Sequence, residues 1–411
     1  MVAKGIYNYH EEKDAEGKSY RPRRWDCYIN VPGMKRPKHK RFRGTQRECD
    51  SFCMRIRREA ESGIRPDAEK VTVAEFMGDY LKNRQAIGKY ADSTIARYDW
   101  LLRKWIAPYI GGVPVKDVNP SMVESWYRKA SDDGASGTTL YQAHKLAKMV
   151  FKDAVRDGLS TSNRFDQVNA PKSEAKKRGY LSFEEVGRML NVLDEEEGFS
   201  GFSAAVRIGL AIGARRGEVL ALTWNDIDFK AETVSITKSL VFVRGARKAG
   251  VPSNTIKAPK TENGNRTVTI DRGTLQWLGE WKREQKRELS ALGVVQVPKT
   301  PICCSTCGRR FGGVAALAGG TLNPTSFGNQ FRRFCERHQF KDSQGNRACF
   351  HELRHTQATY LLANGEDVIS VSARLGHASP SITSDIYAHA MPQRDVECAG
   401  AIGAILTEAK R

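Results

Sequence analysis

Long apolar runs are missing from this sequence. None approaches the roughly 20 residues that a membrane-spanning helix needs, which argues against an integral helical membrane protein. The opening residues, Met1-Val-Ala-Lys-Gly5, carry no apolar secretion signal, so action in the cytosol is expected. Cysteine is sparse: nine residues, at positions 27, 49, 53, 303, 304, 307, 335, 349 and 398 of 411. An odd number scattered over so long a chain does not form a disulfide framework, and reduced thiols are expected. A Walker-type phosphate loop is absent, which sets aside nucleoside triphosphate hydrolysis of that kind. There is no internal repeat, so repeat architectures are set aside as well.

Negative charge is the other shortage. The 66 Lys and Arg outnumber 47 Asp and Glu, giving +19 and a pI near 9.6. Such an excess points to a polyanionic partner, of which nucleic acid is the commonest. It is concentrated at the front, where residues 1–66 hold 17 Lys and Arg against 9 Asp and Glu. With 40% hydrophobic residues the chain can bury cores, and its length predicts two or three domains.

Residues 5–45 read as short strands. Trp25-Asp-Cys-Tyr-Ile-Asn-Val31 alternates polar and apolar, with turn chemistry at Glu16-Gly17 and Pro32-Gly33. Six of the nine residues 35–43 are basic, namely Lys35, Arg36, Lys38, Lys40, Arg41 and Arg43, and a helix is expected from about Thr45 to Ser62. A small sheet, one helix and a basic strand fit a DNA-docking module over 1–66. A capping box, Thr72-x-x-Glu75, opens a helical region at 70–165, with further helices expected at about 92–108, 119–131 and 138–158. Residues 166–179 lack periodicity and read as a linker in which Lys176, Lys177 and Arg178 are positioned for backbone phosphates. A second capping box, Ser182-x-x-Glu185, starts the last domain, 180–411. That domain reads as helical apart from strands at Thr233–Ile236 and Arg266–Ile270, with Asn263-Gly264 as a turn between them. The expected fold class is therefore mixed and mainly α: a small α+β module, a helical bundle, and a mainly helical domain with a small antiparallel sheet.

The chemistry concentrates near the C-terminus, in His351-Glu-Leu-Arg354, Leu375-Gly376-His377 and Asp385-Ile-Tyr387. Upstream stand Gly213-Ala-Arg215-Arg-Gly-Glu218 and Pro259-Lys260-Thr-Glu-Asn-Gly. In-line attack on a phosphodiester builds a second negative charge, and fixed cations aimed there stabilise the transition state above the ground state. Arginine suits the task because its planar fork donates two parallel bonds and stays charged. Arg215 and Arg354 are the expected clamp. His351 and Arg354, three apart on a helix, are expected to reach one phosphate. His377, on a turn after a helix ending at Gly376, can donate to a phosphate oxygen. Glu218 is expected to orient Arg215. Tyr387 is the expected nucleophile: its phenol ionises near pH 10 when unperturbed, so it needs the cations and a base, His351.

This ordered set resembles the tyrosine recombinase, or phage integrase, family, most strongly over about 180–393. The resemblance implies an arm-type DNA-binding domain at the front, then a core-binding domain and a catalytic domain. It implies Lys260 as proton donor to the departing deoxyribose oxygen, with Lys257 and Lys248 as substitutes. It also implies site-specific DNA cleavage and rejoining through a 3′-phosphotyrosine link, by a homotetramer on double-stranded attachment sites. No metal or other cofactor is implied, and accessory DNA-bending or directionality proteins are compatible partners. The apolar tail 399–406 is expected to dock on a neighbouring protomer or on its own domain.

Three other readings use some of the same residues. His351-Glu352-Leu-Arg-His355 also fits a zinc-protease helix, with Glu366 or His389 as third ligand. Cys304, Cys307, Cys335 and His338 could hold a structural zinc. A DNA-binding regulator without catalysis, or a topoisomerase of like chemistry, would use the same fold.

Overall fold

The computed structural model describes residues 7–9, 12–13, 19–20, 24–29, 37–43, 45–61, 68–173, 179–242, 254–258, 264–304, 318–377, 379–381 and 383–384. Lys35, Arg36, Lys176, Lys177, Arg178, Lys260, Cys307, Tyr387, His389 and the 399–406 tail lie outside these residues. The chain divides into two compact units, Met1–Ala175 and Lys176–Arg411.

The first unit opens with strands β1 (Tyr7–Tyr9), β2 (Glu12–Lys13), β3 (Ser19–Tyr20), β4 (Arg24–Ile29) and β5 (Lys38–Arg43) and helix α1 (Gln46–Glu61). β1, β4 and β5 form an antiparallel sheet in that order, and β2 pairs β3. Period-two geometry turns Cys27 and Ile29 inward to meet Cys49 and Ile56 of α1, with Phe42 stacked on Phe52 at 4.9 Å. The same alternation divides the basic run. His39, Arg41 and Arg43 are exposed, whereas Lys40 on the other face pairs with Glu69.

The expected bundle follows as α2 (Val73–Ala86), α3 (Asp92–Leu101), α4 (Ala107–Ile110), α5 (Pro120–Asp132) and α6 (Gly137–Arg156). The Thr72–Glu75 box closes in both directions, and a π-helical turn at Leu102–Ile106 joins α3 to α4 without breaking the apolar face. Met77, Trp126, Leu146, Phe151 and Phe165 fill the core, and Trp126 Nε1 donates to the carbonyl of Trp105.

The described residues of the second unit form α7 (Phe183–Val192), α8 (Gly201–Ile212), α9 (Arg216–Ala221), five strands, then α10 (Arg272–Ala291), α11 (Pro324–Arg337), α12 (Phe350–Ala363) and α13 (Val368–Leu375). The Ser182 box closes by half. Ser182 Oγ accepts from Glu185 N at 3.2 Å, but the Glu185 carboxylate turns to Arg188 at 2.7 Å. The strands are β6 (Ile227–Asp228), β7 (Thr233–Ile236), β8 (Ser239–Phe242), β9 (Asn254–Lys257) and β10 (Arg266–Thr269). β7 pairs β10 antiparallel, Thr233 facing Thr269, as its alternation implies, and β6 extends the sheet. Between them a separate ladder, β8 with β9, was not expected. α8 is almost wholly buried, packed with Phe202, Phe327, Phe331, Phe334 and Phe350. Among the described residues no helix is long and apolar enough to cross a membrane.

Candidate active site

Two left-handed glycine caps frame the site. α8 ends at Gly213, φ 59°, a left-handed conformation that strains any residue with a Cβ, and such a Cβ would also lie 2.3 Å from Gln357 Oε1 and 2.5 Å from Leu375 Cδ2, so both side chains would have to shift. α13 ends at Gly376, φ 68°, which turns the chain so that His377 returns inward. The freed carbonyls at both caps become acceptors: Gly213 O takes Arg354 Nη1 at 2.9 Å, and Gly376 O takes Arg215 Nη2 at 2.8 Å.

Arg215 is the N-cap of α9 and Glu218 its third residue, a spacing that lets the carboxylate fold back. Glu218 accepts from Arg215 N at 3.0 Å and from Arg215 Nη1 at 2.8 Å. Its second oxygen also takes Arg266 Nη2 at 3.0 Å. Burial acts to raise the Glu218 pKa, but the Arg266 charge and the bonds from Arg215 outweigh it and hold the carboxyl below its usual range. One ionised carboxylate thus fixes two guanidinium groups.

Arg266 was not among the residues expected here. It opens β10, and its other donors go to Arg374 O at 2.8 Å and Gly264 O at 3.2 Å. A signal existed, since Arg266 shares a strand face with Val268, which is buried. Its side chain is only 7% exposed.

α12 runs as its sequence implies. Leu353, Ala358 and Leu362 are buried, and the helix stops at Asn364 before Gly365, φ 89°. Arg354 is buried, and besides Gly213 O it donates from Nε to His377 Nε2 at 3.3 Å. The His377 Nδ1 meets Thr383 Oγ1 at 2.7 Å. These bonds fit one neutral tautomer, with Nδ1–H donating to threonine and Nε2 accepting from arginine. Burial first, and then the Arg354 and Arg215 charges, push the His377 pKa down to about 4. Burial and the neighbouring Arg215 push the Arg354 pKa down to about 9. Arg354 Nη2 is buried with no partner among the described residues. Such an orphaned donor on a cation is costly unless an anion arrives to meet it.

The structure brings Arg215, Glu218, Arg266, Arg354 and His377 together. His351 stands apart in burial: it is exposed on the first turn of α12, beside a cavity of about 370 Å³ also lined by Arg216, Arg332 and Arg347. Its ring lies 5.6 Å from that of His355, whose charge in turn bears on His377. Lys257 closes β9 opposite Ser239.

The zinc-protease reading loses its base. Glu352 is buried and accepts from Cys349 N at 2.7 Å, capping α12 rather than facing a metal. The described members of the second zinc set are engaged elsewhere: Cys304 Sγ accepts from Gln285 at 3.2 Å, Cys335 is buried, and His338 pairs with Glu196 at 3.1 Å.

Known proteins match both the sequence and the fold. The family model described as the phage integrase family matches residues 179–394. The ICEBs1 integrase of Bacillus subtilis is 23% identical over 362 residues, covering 88% of this chain and 91% of that protein. The Tn1549 transposon integrase, solved in complex with transposon right end DNA, superposes with a TM-score of 0.64 at 19% identity. The alignment covers 81% of this chain and all of that one. The lambda integrase, solved as a tetramer bound to a Holliday junction, gives a TM-score of 0.56 at 17% identity, covering 92% of each chain. With more than half of its length matched by the family model, and the integrase-like fold around the arginine cluster, this chain belongs to the phage integrase family of site-specific tyrosine recombinases.

Proposed function

We propose that the protein is the integrase of a mobile element, which cuts and rejoins double-stranded attachment sites through a covalent bond to Tyr387. The observation that carries the reading is the buried Arg354, whose Nη2 lacks a partner among the described residues while Arg215 is held beside it by Glu218. A scissile phosphate satisfies that donor, and the bond strengthens as charge builds on the phosphate oxygens. The Tyr387 oxygen forms a bond to phosphorus as the bond to the 5′-oxygen breaks. His351 takes the phenol proton, and Lys260 returns one to the departing oxygen. A second strand's 5′-hydroxyl reverses the step, so bond energy is conserved and neither a metal nor a nucleotide is called for. His377 accepts from Arg354 when no phosphate is bound; a phosphate oxygen taking over that arginine would free Nε2, and a switch to the Nε2–H tautomer, with Nδ1 accepting from Thr383 Oγ1, would let the ring donate.

In this reading residues 1–66 dock an arm site, 70–165 bind the core site, 166–179 form the linker and 180–411 catalyse. Lys35, Arg36, Lys38, Arg41, Arg43, Lys176, Lys177 and Arg178 contact phosphates, and Lys40 joins them only if it leaves Glu69. Four copies act on two duplexes, a stoichiometry in keeping with the lambda integrase, which was solved as a tetramer bound to a Holliday junction. Covalent capture on genomic fragments, followed by sequencing of the attached DNA, tests the proposal. Adducts clustered at one short sequence are expected, whereas adducts spread evenly, with relaxation of any supercoiled plasmid, would mark a topoisomerase.

A further inference from the structure

The small N-terminal module holds a side-chain cluster that strand cutting does not use. Cys27 lies on β4, and Cys49 and Cys53 lie four apart on one face of α1. Their sulfurs all fall within 4.8 Å of one another, and among the described residues this is the one convergent group of three metal-ligating side chains. Cys27 Sγ is 3.2 Å from Cys49 Sγ, and Cys53 Sγ completes the group. Cys27 and Cys49 are fully buried, Cys53 partly so.

Two physical points favour a ligand here over three packed thiols. Zinc–thiolate bonds near 2.3 Å place the sulfurs of a tetrahedral site about 3.8 Å apart, wider than the 3.2 Å of Cys27 and Cys49 and inside the 4.8 Å limit that holds for all three, so small side-chain rotations suffice. The described part of the module has a small core. Among the described residues its buried hydrophobic cluster is Cys27, Ile29, Cys49 and Ile56, half of it cysteine, with Trp25, Phe42, Phe52 and Cys53 partly buried against it. Cores this small ordinarily need a disulfide or a metal as a staple.

We propose that Cys27, Cys49 and Cys53 bind one zinc ion, pinning α1 to the strand that precedes it. Three thiol protons leave to solvent and three sulfur–zinc bonds form, with water in the fourth position on the partly exposed Cys53 side. An all-sulfur set selects a soft or borderline ion and disfavours magnesium or calcium. The inference does not depend on the recombinase reading.

The full-length protein, purified without chelator and titrated with zinc or cobalt alone, tests it. One zinc per chain is expected in native mass spectrometry, with a sulfur-to-cobalt charge-transfer band on cobalt substitution. Zinc should slow alkylation of Cys27, Cys49 and Cys53 at least tenfold in peptide mapping, and Cys53→Ser should lose the ion. Should that variant fail to fold, alkylation mapping of the unaltered chain decides alone. No bound zinc and no protection, a Cys27–Cys49 disulfide in its place, or zinc retained in a folded Cys53→Ser protein would overturn the proposal.

Discussion

The helical bundle of the first unit and the core of the second bury different things. The bundle core is aromatic and aliphatic; among its described residues the buried imidazole is His144, whose pKa burial lowers and which is bonded to Tyr127 at 2.5 Å. The second unit buries Arg354 and the Arg266 side chain around a single carboxylate, Glu218. Burying cations is expensive, and replacing such groups by apolar ones is often stabilising. The bundle core is therefore of the kind that favours stability, whereas the arginine cluster carries a burial cost that the proposed phosphate binding would account for.

Substitutions that separate stability from chemistry test this contrast, and the largest effect should fall on chemistry. Arg354→Ala should lower strand cleavage about 1,000-fold, as loss of a transition-state donor does. Its melting temperature should hold or rise. A large fall in melting temperature with cleavage intact would reverse the comparison. In the bundle, Trp126→Ala should do the opposite. It removes a buried ring and should cost about 3–5 kcal/mol in denaturant unfolding, while strand cleavage by the still-folded variant falls far less than in Arg354→Ala.

Glu218→Gln sharpens the contrast from the carboxylate side. Two guanidinium groups lose their shared counter-charge, so stability should drop by about 3 kcal/mol, and cleavage should fall because Arg215 is no longer aimed. Unchanged kinetics would show that Arg215 needs no such anchor. The smallest effect concerns acid. His377 has a folded pKa near 4 against 6.5 for the free side chain. The unfolded chain therefore binds the extra proton first. This contribution to stability is complete above about pH 6.5 and is lost as pH falls toward 4, by about 3 kcal/mol. In His377→Asn that slope should flatten, and an unchanged slope between pH 6.5 and 4 would remove His377 as its source.

Much of this architecture was legible because caps and periodicity are local. Thr72 with Glu75, Asn364-Gly365 and Gly376-His377 each mark an end through bonds made within a few residues. Arg215 with Glu218 was legible for the same reason. What escaped depends on neighbours distant in sequence. The β8–β9 ladder joins Phe242 to Asn254 across an unpatterned stretch, and Arg266 reaches Glu218 from 48 positions away. The i, i+3 spacing of His351 and Arg354 placed both on one side of α12. It could not show that the core edge runs between them and leaves one exposed and the other buried. The basic run 35–43 read as one patch until the strand alternation split it.

The central claim is that the arginine cluster activates Tyr387 against a phosphodiester. A nicked duplex whose cut fragment diffuses away traps the covalent intermediate, and peptide mapping locates the bond. The account predicts a protein–DNA adduct at Tyr387, absent in Tyr387→Phe and at least 100-fold slower in Arg354→Ala. An adduct that persists in Tyr387→Phe, or exchange of cognate sites by that variant, would contradict it.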